Sequence, residues 1–220
     1  MQGKIIGFVG CYSHDVILML AKVLSSAEKE VLLCDRNLRH TLSASVPVPG
    51  GISVGEEIAA YDGLYFTQQK INAKMLQEYD ILLADFGMQE FCGETECCTE
   101  IFLITDALLH HIRQLNGLEL QRELVQEVLI RDMPGGLYAK EKELQELLNR
   151  FPNREELFLA PDKRDIENRC VCETLHEYHV KNASPELQEF IYRTAGRLCP
   201  EISKREFRRR IRRQEGRRSL

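Results

Sequence analysis

The chain has 220 residues, 44% of them apolar and 29% charged, with a formal net charge of −5, which suits one globular domain with a full hydrophobic core. No apolar run reaches the roughly 18–20 residues of a membrane-spanning helix, and the N-terminus runs straight into a strand pattern instead of a secretory leader, so the expected location is cytoplasmic. In that setting the eight cysteines are expected as free thiols.

Strand and helix patterns alternate along the chain. Residues 4–10, KIIGFVG, are an apolar run of the kind covered on both faces in a parallel sheet. A helix follows over VILMLAKVLSSAEK, and a second buried strand, EVLLCD, ends at Asp35. Residues 38–66 are rich in Ser, Pro and Gly and read as a long loop with a short ordered piece. YFTQQKINAKMLQEY reads as a helix with Ile71, Met75 and Leu76 near one face. DILLADFG is a third buried strand, carrying Asp85 and Gly87 at its end. TEIFLITD is a fourth, with Asp106 placed to cap the helix ALLHHIRQLNGL, whose His110 and His111 are expected at the surface.

LVQEVLIRDM gives a fifth strand, LYAKEKELQELLNRF a patterned helix and EELFLAP a sixth strand. CGETECC (92–98) has no matching Cys or His pair at zinc-site spacing, and CVC (170–172) reads as alternation on an extended segment. Ser184 and Pro185 form a well-made helix start, and SKRE (203–206) fits a capping box. The fold class is therefore α/β: a three-layer, mostly parallel sheet with helices on both faces. Residues 1–200 form this domain and 201–220 a basic C-terminal helix or tail. In such sheets ligands bind beyond the carboxyl ends of the strands, where Gly10–Asp15, Asp35 and Asp85 lie.

The order of these pieces resembles the MinD/ParA-type deviant-Walker P-loop ATPases over roughly residues 4–199. EKEVLLCD resembles that family's second strand, YDILLADFG its Walker B strand, and PGGLYAKEKELQELL with the segment from LAPDKRD to TAGRL its late elements. The departures fall on the chemistry. Where the resemblance places the phosphate loop, the chain reads Phe8-Val9-Gly10-Cys11-Tyr12-Ser13-His14-Asp15. Gly10 alone keeps its glycine, Ser13 stands at the lysine, His14 and Asp15 at the hydroxyl pair, and Phe8 at the extra lysine. Ile130 stands at the adenine-reading Asn and Asn37 at a second Asp. Asp35 and Asp85 match acidic positions.

A triphosphate needs backbone N–H groups, a lysine and Mg²⁺. Here the lysine is missing, Tyr12 crowds the approach, and Asp15 brings like charge to a helix N-terminus that it can itself satisfy. The resemblance thus implies a degenerate nucleotide site with no catalytic residue, no cofactor, and only weak ATP or Mg²⁺ binding. Residues 204–220 hold nine basic and two acidic residues, a net of +7, leaving −12 on the remainder. Lys204, Arg205, Arg208, Arg209, Arg210, Arg212, Arg213, Arg217 and Arg218 would meet an anionic protein partner, an anionic membrane face at the inner membrane or, less favourably, nucleic acid. As a helix, this tail sets Phe207 and Ile211 one turn apart in a narrow apolar stripe.

Two readings from different classes follow. One is a non-catalytic MinD/ParA-like scaffold or localisation protein, closest in flavour to CpaE/TadZ-type members of Flp (Tad) pilus and secretion loci. The other is an ATPase with an atypical loop, or a DNA-partition-type protein. A homodimer is an option under either.

Overall fold

Strand β1 (Lys4–Gly10) is apolar and buried after Lys4 because it has strands on both edges and helices on both faces. The computed structural model describes residues 3–47, 57–89, 93–135, 142–152 and 154–217. Its eight-stranded sheet runs β3 (Ala59–Tyr61), β4 (Leu64–Thr67), β2 (Val31–Asp35), β5 (Ile81–Gly87), β1, β6 (Glu100–Asp106), β7 (Val125–Arg131), β8 (Glu155–Phe158). Every pairing is parallel except β3 with β4. Alternation along β1 divides the core. Ile6 and Phe8 face a layer built from α1 (His14–Ser25), α6 (Lys163–Leu175), α7 (Pro185–Leu198) and α8 (Lys204–Arg217), whereas Ile5 and Val9 face α4 (Leu109–Gly117) and α5 (Lys142–Asn149). The expected three-layer α/β architecture is present.

Three local expectations are corrected. The helix read over YFTQQKINAKMLQEY is β4 followed by an irregular stretch, with only Met75–Glu78 (α3) helical. Aromatic and β-branched side chains at Tyr65, Phe66 and Thr67 favour a strand, and Leu32–Cys34 of β2 give it a parallel partner. Asn72 Oδ1 accepts the Lys74 and Met75 N–H groups and starts the short helix. Within the stretch read as a loop, Thr41–Ala44 is a helical turn (α2), and Asp62-Gly63 joins β3 to β4. Both turn residues have positive φ, 56° and 75°, as a two-residue hairpin requires. Lys22 Nζ secures that turn, 2.6 Å from Asp62 Oδ2 and 2.8 Å from its carbonyl oxygen. The third correction is CVC, which lies in α6 with Cys170 exposed and Cys172 buried. Asp162 starts that helix by accepting the Arg164 N–H, so extended alternation does not apply. Cys92 lies outside the described residues.

The basic C-terminal segment is a helix, and Ser203 Oγ accepts the Glu206 N–H as the capping pattern implied. Its apolar stripe is not available to a membrane. Phe207 is 0% and Ile211 2% exposed, both inside the core cluster that contains α1 and α7. Burying two large side chains stabilises the helix more than its own propensity does. Truncating Phe207 to Ala should therefore cost about 3–5 kcal/mol in urea unfolding. Arg212→Ala on the outer side should stay within about 0.5 kcal/mol. Equal, small effects would mean that α8 is only loosely attached.

Candidate functional site

The turn after β1 is held from three sides. Gly10 leaves the strand at φ 138°, and a Cβ there would stand 1.7 Å from the Ile104 carbonyl oxygen, so no side chain fits. Cys11 N–H donates to that same carbonyl at 2.8 Å. Tyr12 then takes a left-handed φ of 55° and turns the chain into α1, its ring lying under the Arg169 guanidinium at 4.7 Å.

Beneath the turn, Arg131 from the end of β7 reaches the first turn of α1. Its guanidinium donates to both oxygens of Asp15, at 2.7 and 2.8 Å, and to the Tyr12 carbonyl at 2.7 Å. The two side chains are 2% and 0% exposed. Burial alone would raise the Asp15 carboxyl, but the charge and hydrogen bonds of Arg131 override it and hold the group below the ordinary aspartate range. Arg131 is likewise held fully cationic by Asp15 against its own burial. Asp15 Oδ1 also accepts the Val16 N–H, so the carboxylate occupies the helix N-terminus as the sequence suggested.

The two acidic strand ends also meet. Asp35 and Asp85 stand in register on β2 and β5, both buried. Asp35 accepts the Asn37 and Ser43 N–H groups. Asp85 accepts from the Ser13 hydroxyl (3.0 Å), the Gly87 N–H (3.1 Å), and Asn37 Nδ2 and the Thr41 hydroxyl (both 3.3 Å). Burial, then the charge of Asp35, push the Asp85 carboxyl above its ordinary value. His14 is buried, with Nε2 3.2 Å from Glu173.

A cleft of about 310 Å³ opens over the turn, lined by Cys11, Tyr12, His14, Asn37, Arg39 and His111 among others. His111 corrects the expectation of a surface histidine. It is half-buried, with Nδ1 2.8 Å from Asp106 Oδ1 and 3.6 Å from Cys11 Sγ. Asp106 does not stand at the N-cap of α4, which is Leu108, but accepts the Leu108 N–H at 2.9 Å.

The tail residues lie far from this cleft in sequence and serve several masters. Lys204 and Arg208 pair with Glu189, and Arg208 covers the Tyr192 ring. Arg209 and Arg210 pair with Glu206, and Arg210 also donates to the Ser26 carbonyl. Arg205, Arg209, Arg212 and Arg213 share the spacing of one helix face and are exposed. The Arg217 side chain and Arg218 lie outside the described residues.

No family profile matches the sequence, and no curated protein matches it. Solved structures do. A chain of the MinC:MinD cell division protein complex of Aquifex aeolicus superposes with a TM-score of 0.61 at 12% identity, covering 91% of this chain and 97% of that one. MinD of Aquifex aeolicus gives 0.58 at 14% identity, covering 91% and 98%. A plasmid partition protein of Borrelia burgdorferi B31 bound to AMPPNP gives 0.56 at 12% identity, covering 91% and 99%. The fold is that of MinD/ParA-like P-loop ATPases. Among the described residues, no helix is long and apolar enough to cross a membrane. Arg131, Asp106 and His111 are the site residues that sequence reading missed. An arginine closing an apolar parallel strand was the available signal for the first.

The pair is tested by a mutant cycle. Asp15→Ala or Arg131→Met alone strands a buried charge and should cost about 3–5 kcal/mol, while the double variant should cost clearly less than the sum. Additive urea-unfolding energies would deny the coupling. The pH dependence has a definite sign. A lowered folded-state pKa means that the Asp15 contribution is complete above the free-aspartate value of 3.8 and is lost as pH falls through the folded value. Asp85, with its pKa raised, works in reverse, its contribution declining as pH rises above 3.8. The stability gap between the wild type and Asp15→Asn should therefore narrow on acidification below pH 3.8.

Proposed function

We propose that this chain is a non-catalytic MinD/ParA-like scaffold or localisation protein whose phosphate-binding turn is filled by its own side chains. The observation that carries this reading is the buried Asp15–Arg131 pair at the α1 N-terminus. A helix N-terminus attracts a phosphate because unsatisfied N–H groups and the dipole converge there. Here a carboxylate already sits in that field, neutralised by a fork of hydrogen bonds that a phosphate would otherwise recruit.

The donor set does not fit a magnesium triphosphate. Ser13 replaces a lysine and spends its hydroxyl on Asp85, Tyr12 stands over the approach, and Asp15 would repel the ligand. The expected consequence is that no nucleotide is bound or hydrolysed. Mg²⁺–ATP at 100 times a working dissociation constant would stabilise the fold by about 2.7 kcal/mol. The melting temperature should instead be unchanged at millimolar Mg²⁺–ATP, and a rise of several degrees would overturn the reading in favour of an atypical ATPase.

The exposed arginine face of α8 supplies the contact. Because Phe207 and Ile211 are committed to the core, this face engages an anionic surface by charge alone, without inserting apolar side chains. It suits an acidic partner protein or the anionic inner face of a membrane, at about 1 kcal/mol per basic residue near a charged surface. The atypical phosphate-binding turn, a feature of some CpaE/TadZ-type members, makes a Flp/Tad-type pilus or secretion assembly the proposed setting. Replacing Arg205, Arg209, Arg212 and Arg213 with Gln should abolish co-sedimentation with anionic vesicles or retention on polyglutamate, whichever the wild type shows, and leave the melting temperature intact. Wild type that binds neither in low salt would refute the assignment.

A further inference from the structure

Cys11, Asp106 and His111 come from three elements and meet at the rim of the cleft. One ligand atom from each lies within 4.8 Å of the other two. Cys11 follows the end of β1, Asp106 ends β6, and His111 sits in the first turn of α4, one helical turn beyond the Asp106 bend. Adjacent parallel strands bring the first two together, and the α4 start brings the third.

The contacts are not those of a proton relay. A nucleophilic cysteine and an orienting carboxylate belong on opposite nitrogens of the imidazole. Here Cys11 Sγ, at 3.6 Å, and Asp106 Oδ1, at 2.8 Å, both address His111 Nδ1. Nor is the group explained as a helix start: Asp106 Oδ1 already accepts the Leu108 N–H, and the Cys11 thiol, whose other polar neighbour is Thr105 Oγ1 at 3.8 Å, takes no part in that start. Convergence of thiol, imidazole and carboxylate on one point is the arrangement that a metal ion needs.

We propose that Cys11, Asp106 and His111 form a binding site for a zinc-type divalent transition metal. Thiolate and imidazole donors select such metals over magnesium or calcium. Tetrahedral zinc with bonds of about 2.3 Å to sulfur and 2.05 Å to nitrogen sets those atoms about 3.6 Å apart, which is the Cys11–His111 separation found. The carboxylate must retreat by about half an ångström to make room, since zinc-bound nitrogen and oxygen lie about 3.3 Å apart. A thiolate and a carboxylate balance the dication. Burial, and next the negative Asp106, push the Cys11 thiol above its ordinary value, and a bound cation reverses that preference. Three protein ligands leave a fourth position, on the side where Cys11 and His111 line the cleft. The ion would tie the turn after β1 to α4.

The site does not rest on the scaffold reading, since it needs only the three donors, and the cobalt test reads the metal and not a nucleotide. The test uses the full chain, reduced and stripped by chelator, titrated with Co²⁺ as the probe. A thiolate-to-cobalt absorption band should saturate at about one equivalent and be displaced by Zn²⁺. Cys11→Ser should abolish it, and Cys97→Ser, at an exposed thiol, should leave it unchanged. Asp106→Asn keeps an oxygen for the Leu108 N–H and should weaken the affinity at least about tenfold. No band at saturating cobalt, loss of the band in Cys97→Ser, or full affinity in Asp106→Asn would overturn the site, whether or not Cys11→Ser folds.

Discussion

A guanidinium with almost no access to water cannot be left alone, and the centre of this molecule is arranged around that fact. Arg131 emerges from an apolar strand into a closed space. Three of its five N–H donors are answered by the two oxygens of Asp15 and by the Tyr12 carbonyl. Meeting that demand ties the end of β7 to the α1 N-terminus and to the left-handed turn at Tyr12. The same contact decides the chemistry of the turn. Asp15 sits at the α1 N-terminus, where the helix dipole favours negative charge, and Arg131 balances it from below.

A second commitment follows at the other end of the chain. The C-terminal helix looks in sequence like an appendage of charge, yet it is anchored by Phe207 and Ile211 in the same core layer as α1 and α7. Charge and anchoring are thereby separated on opposite faces of one helix. The outward arginine face is exposed without the domain giving up any of its packing, which an inserting amphipathic helix could not do.

The sheet and its main helices were legible because their signals are long and redundant. Runs such as Lys4–Gly10 and Ile81–Gly87, apolar but for Lys4 and Asp85, fit strands covered on both faces. The hairpin Ala59–Thr67 was hidden because each strand is three or four residues long, and a Ser/Gly-rich neighbourhood masks the Asp62-Gly63 turn. Segment 163–175 has apolar residues scattered around its helix, and so offers no clear stripe. The sequence pattern placed Gly10–Asp15, Asp35 and Asp85 at strand ends, and in the fold Ser13, Asp35 and Asp85 adjoin one another. What filled the turn was not legible, since Asp15 and Arg131 are 116 residues apart and nothing in spacing joins them. His111 escaped for the same reason: its partners Cys11 and Asp106 become neighbours only through the parallel pairing of β1 with β6.

The short strands at the margins of the sheet bear on how copies of this molecule can meet. Among the described residues the sheet ends in β3, of three residues, and β8, of four. On β8 both Glu155 and Glu156 are exposed. A second copy joining edge to edge through β8 would gain few ladder hydrogen bonds and would bring like charges together. Self-association by extending the sheet is thus discouraged from the start. Any symmetric contact between two copies must be sought on the helical layers, where side chains and not backbone groups set the specificity.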